Sequence, residues 1–157
     1  MKRWMLAAGA ASVLSLAIAV PANAQGLKQK VVGAWTLDVG SEIFADGKKV
    51  VPWEAGSLLL DPTGHFSFFV IGKDRPKGNG DPRVPVSPIV AYYGTYTVNE
   101  ADNTLSYKVE RASNPTFDGV LRGQKISFKG DVMVTTASEV KTPQGTITPV
   151  NEWKRAK

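Results

Sequence analysis

His65 is the only histidine in this 157-residue chain, and there is no cysteine. The two residue types that most often build metal centres and nucleophilic dyads are therefore almost missing. A lone histidine without cysteine or clustered carboxylates cannot hold zinc or iron, and work as a general base would need an orienting partner. His65 follows the Asp61-Pro62-Thr63-Gly64 turn in phase with Ser67, so it is predicted to face solvent. The serines form no Gly-x-Ser-x-Gly elbow and lack a second basic candidate for a triad. Glu110 and Asp118 are of the right type for glycoside chemistry, but no feature of the sequence holds them about 5 to 10 Å apart across a cleft, and they read as solvated strand-end charges. Gly78-Asn79-Gly80 is not followed by a helix whose N-terminus could bind phosphate. No catalytic residue, metal-ligand set or cofactor motif is assigned.

What remains is a set of aromatic and aliphatic residues whose spacing suits the wall of a pocket, and strands must position them. Period-2 alternation and turn signals recur throughout, with no sustained helical period. The first strand is predicted over 32–44, with Gly33, Trp35, Leu37 and Val39 on one face. Asp46-Gly47 is a hairpin signal, returning a short flap through Val50 and Val51 that Pro52 should end. Further strands are expected over 57–60, 65–71, 89–98, 104–110, 120–129, 132–138 and 146–155. Phe66, Phe68 and Val70 share one face of the third, and Tyr92 and Tyr96 one face of the fourth. Leu105, Tyr107 and Val109 point inward from the fifth, and Ile126 and Phe128 from the sixth. The facing of the seventh is open, because Val132/Val134 and Met133/Thr135 both fit. The eighth carries Asn151, Trp153 and Arg155 on one side.

If the eight strands run up and down, the connections at one end are long: 45–56, 72–88, 111–119 and 139–145. Those at the other end, 61–64, 99–103 and 130–131, have the usual hairpin length. The predicted fold is thus an all-β, antiparallel, up-and-down eight-stranded barrel with one closed end and one loop-rich open end. The segment 72–88 holds four Pro, three Gly, four Lys or Arg and two Asp, and reads either as a semi-rigid lid over the mouth or as a plain mobile loop.

Residues 1–24 read as a secretory signal: Lys2 and Arg3, an apolar run from Leu6 to Val20, and Ala22-Asn23-Ala24 as the cleavage site. The run is shorter than the roughly 20 residues needed to span a bilayer, so no membrane anchor is expected, and no cysteine near the junction could take a lipid. Residues 25–31 are a lead-in, and 32–157 form one domain. Removing the leader lowers the net charge from +5 to +3. Basic residues are interleaved with acids and form no stripe, which argues against nucleic acid as a partner. The expected location is periplasmic or extracellular.

Val32-Gly33-Ala34-Trp35 and Glu152-Trp153-Lys154-Arg155 resemble the two ends of lipocalin-like domains. Asp46-Gly47, the run from Gly56 to Gly64, Lys73-Asp74-Arg75-Pro76 and Ala91-Tyr92-Tyr93-Gly94-Thr95-Tyr96 resemble the bacterial lipocalin-like domain family over nearly the whole mature chain. The resemblance implies the barrel fold and a structural floor of Gly33, Trp35, Trp153 and Arg155, with the basic side chain packed across the indole. It implies no established activity. Members often carry histidines where this chain has Tyr107 and Lys108, so any histidine-dependent chemistry is in doubt here.

The leading expectation is a binder of a small apolar or amphipathic molecule, with Val39, Phe68, Val70, Tyr92, Tyr107, Val109 and Arg111 lining the pocket. An isomerase- or cyclase-type barrel enzyme using Tyr107, Tyr92 or Arg111 is one alternative, resting on fold analogy. The other is a protein-interaction module with a filled barrel and an apolar outer patch at Phe69.

Overall fold

The computed structural model describes residues 26–157 apart from Pro82 and Pro85. The expected signal over 1–24 and the first residue of the lead-in lie outside the described residues. Alternating side chains and tight turns build β1 (Gly33–Phe44), β2 (Lys49–Leu60), β3 (His65–Gly72), β4 (Ile89–Asn99), β5 (Thr104–Ala112), β6 (Leu121–Lys129), β7 (Val132–Ala137), β8 (Val140–Thr142) and β9 (Gly145–Arg155). Each strand pairs antiparallel with its neighbour, β7 with β9, and β9 returns to β1, which closes an eight-stranded barrel. β8 is an additional short strand beside the upper end of β9, so most of the expected 139–145 loop is paired.

The lead-in is partly helical: α1 (Leu27–Val31) lies under the barrel, with Val31 fully buried. Trp35 Nε1 donates to the Val31 carbonyl at 2.8 Å, and the Arg155 guanidinium lies 4.3 Å from the centre of the Trp35 ring. The same guanidinium donates to the carbonyls of Val32 (2.7 Å) and Lys30 (2.6 Å). Gly33 makes room for it, because a Cβ there would stand 2.5 Å from Arg155 Nη1. Trp153 is buried beside them and donates to Thr135 Oγ1. Above this floor the barrel is filled by Leu58, Leu60, Leu105, Tyr107, Val109 and Met133, all essentially inaccessible. Met133, Thr135 and Ala137 supply the buried face of β7, which decides the facing that the sequence left open.

Four irregularities separate the wall from a simple alternation, one of them at Glu54 of β2, which is extra between Trp53↔Gly72 and Ala55↔Ile71. Pro52 does not end a flap, and β2 runs through it. Val51 and Pro52 together oppose Ser41, between the pairs Gly40↔Trp53 and Glu42↔Val50. A bulge is where a strand tolerates a residue without an N–H. In β1, Asp38 is extra between Leu37↔Trp153 and Val39↔Glu152. In β5, Glu110 is extra between Gly94↔Val109 and Tyr93↔Arg111. Gly94 is the residue that permits the β5 bulge, since a Cβ there would lie 2.1 Å from the Lys108 carbonyl oxygen.

Candidate functional site

Each bulge reverses the faces of the strand beyond it, and those at Asp38 of β1 and Glu110 of β5 fall on predicted pocket residues. Val39 pairs with Glu152 on the outer face, and its inward place is taken by Gly40 and Glu42. Arg111 pairs with Tyr93, which is 51% exposed, and it stands outside near the Asp118 carboxylate (3.9 Å). Counting period-2 alternation through an unseen extra residue placed both on the wrong side. Tyr107 and Val109 do point inward, but they lie buried in the packed core and do not line the open space. Of the predicted lining, Phe68, Val70 and Tyr92 are brought together.

They bound a cavity of about 190 Å³ in the upper half of the barrel. Its walls differ. On β2, β3 and β4 the lining is Trp53, Phe68, Val70, Val90 and Tyr92, with Phe68 stacked on Tyr92 at 4.6 Å between ring centres. On the facing wall β6, β9 and β1 present Arg122, Gln124, Asn151 and Glu42. Because β6 descends from mouth to floor, Arg122 lies at the rim and Gln124 two residues deeper, about 7 Å lower. Asn151 sits directly above buried Trp153 on the same face of β9, which also puts it low in the cavity.

The polar groups on that wall face the cavity. Gln124 and Asn151 are 5% and 7% exposed and both line the cavity. Arg122 has no carboxylate within ion-pair distance among the described residues. Its guanidinium is held against ring faces instead, 4.8 Å from Phe117 and 5.8 Å from Tyr92. Phe117, at the end of the short 3₁₀ turn Pro115–Phe117, thus helps roof the cavity. Burial raises the pKa of Glu42, which a hydrogen bond from Trp53 partly offsets. Burial pushes the Tyr92 hydroxyl up to about 12, with Arg122 pulling the other way. Tyr92 is therefore a neutral hydroxyl at physiological pH.

The segment 72–88, read as a possible lid, is anchored at its base by Lys73 N to the Pro52 carbonyl and Gly72 N to the Pro88 carbonyl. Its described residues are mostly exposed, and none of them lines the cavity. His65 faces solvent, as expected. Thr63 Oγ1 lies 3.0 Å from its Nδ1, but the Asp61 carboxylate bonds the Thr63 hydroxyl and N–H instead of the imidazole. The cluster locks the turn. Asp118 accepts from Ala112 N and is not paired with Glu110. Among the described residues no group of three potential metal ligands occurs.

Three of the polar lining residues had a signal in the sequence. Arg122 and Gln124 extend the inward phase of Ile126 and Phe128, and Asn151 shares the Trp153 side. Glu42 had none, because the Asp38 bulge hides its phase. No family model matches the chain, and no curated protein matches it.

Proposed function

We propose that this protein is an exported, lipocalin-like binder of a small amphipathic molecule in the upper barrel. One observation carries the reading: a cavity of about 190 Å³ has an aromatic wall facing the side chains of Arg122, Gln124 and Asn151. A groove with a few convergent polar groups on an apolar lining is the usual form of a ligand site. The volume suits one ring with small substituents, since cavities of about 150 Å³ hold benzene. The leader-like segment ending in Ala22-Asn23-Ala24 supports export, and the Gly33-Ala34-Trp35 and Arg155 floor supports the family resemblance. If a proton were moved in the cavity, Glu42 and Tyr92 would be the groups to move it.

The test is native mass spectrometry of the protein purified from its own cells. Binding predicts a reproducible adduct of low mass that is lost in Ala137→Phe or Val140→Trp, both of which fill the cavity. A bare protein in repeated preparations, with the same thermal stability before and after extraction of small molecules, would sink the reading. A second reading, docking of a protein on the outer wall, is favoured by Leu59, Phe69 and Tyr93, exposed by 44, 41 and 51% on adjacent strands. It predicts a co-purifying polypeptide that Phe69→Ser together with Tyr93→Ser releases.

A further inference from the structure

The two walls of the cavity also restrict what fits between them. We infer that the occupant is a small planar monoanion: its carboxylate meets Arg122 at the rim, its ring lies against Phe68 and Tyr92, and a hydrogen-bonding substituent reaches Gln124 and Asn151. The inference rests on the binding reading and adds the ligand's chemistry to it.

Arg122 sets the charge. A guanidinium carries five N–H donors in a planar fork that matches a carboxylate. Here it is half-buried and braced by Phe117 and Tyr92, with its donors directed to no described protein acceptor. The other ion pairs of the described residues, such as Lys154 with Asp38 and Lys129 with Glu152, lie on the outer surface. The one carboxyl group lining the cavity, Glu42, is on β1, three strands around the wall from β6, and is bonded to Trp53. It sits where a second negative charge on the ligand would be repelled, which favours one anionic group at the Arg122 side.

The deep end sets the rest. Gln124 and Asn151 each offer one acceptor and two donor hydrogens, so they suit a hydroxyl or amide, which both gives and accepts. The drop of about 7 Å from Arg122 to Gln124 is comparable with the span of a benzene ring carrying a carboxylate and a para substituent. Between them the stacked pair of Phe68 and Tyr92 forms the apolar wall against which the ring lies.

Titration calorimetry of the full mature protein with para-hydroxybenzoate, its neutral isostere para-hydroxybenzamide, and benzoate tests each element. Wild type is expected to bind para-hydroxybenzoate about ten- to hundred-fold more tightly than the amide. Arg122→Gln should abolish that preference, and Arg122→Lys should keep part of it. Gln124→Leu should abolish the preference for para-hydroxybenzoate over benzoate. Equal binding of the anion and the amide, or an unchanged preference in Arg122→Gln, overturns the anionic assignment while binding itself stands. No heat with any of the three compounds at millimolar concentration, in wild type and variants alike, overturns the assignment and the binding reading together.

Discussion

Tyr107→Phe should make the protein more stable. The Tyr107 side chain is fully buried, and its hydroxyl is the one deeply buried side-chain polar atom among the described residues with no hydrogen-bond partner. Its ring is well held, 4.4 Å from Phe66 and 6.4 Å from Tyr92 between centres, and phenylalanine keeps those contacts. Burying an unsatisfied hydroxyl costs about 1–3 kcal/mol in protein mutational data. The dispersion lost with one oxygen atom is a few tenths of a kcal/mol, at ~0.1–0.2 per atom pair. The expected gain is therefore about 1–2 kcal/mol. For a domain of this size that raises the melting temperature by roughly 3–8 °C. Urea denaturation of wild type and variant, with equal m-values, gives the difference directly. A loss of 1 kcal/mol or more in Tyr107→Phe would refute the reasoning, because it would mean that the hydroxyl is satisfied in the folded protein.

Other expectations follow from the floor and the bulges. Arg155→Ala removes a cation from the Trp35 face and two bonds to carbonyls, and should cost about 2–3 kcal/mol in chemical denaturation, with Arg155→Lys recovering only part. Gly94→Ala forces a Cβ onto the Lys108 carbonyl and should cost about 1–3 kcal/mol, a loss that an unperturbed urea midpoint would contradict. The pKa of Glu42 is raised in the folded state, so the native protein holds that proton more tightly than the unfolded chain. Its contribution is fully present below the ordinary value of 4.5 and is lost as pH rises through the higher folded value. Glu42→Gln should flatten the stability–pH curve just above that ordinary value, and identical curves for the two proteins would argue against it.

The barrel was legible because its strands alternate and its turns carry Gly, Pro and Asp where the chain must reverse. Trp35 and Arg155 could be placed at one end by strand parity alone, and they meet there. The pocket was harder to read, for a physical reason. Asp38 and Glu110 each insert one residue, and nothing in their local sequence distinguishes a bulge from a regular strand. Every side chain beyond them changes face, which moved Val39 and Arg111 out and brought Glu42 in. Arg122, Gln124 and Asn151 lie on unbroken alternation and were within reach of the same reasoning, but polar residues on an inward phase read as strand ends until the cavity they face is seen. Pro52 shows the converse, since a residue that ordinarily stops a strand is carried through at a bulge.

The central claim is that the upper barrel holds a small molecule. A crystal structure of the protein purified from its own cells tests it most directly. Continuous density is expected for a ring-sized compound between Phe68 and Tyr92 on one side and Arg122, Gln124 and Asn151 on the other. Density for isolated waters alone, or Trp53 and Arg122 folded inward to fill the space, would contradict it.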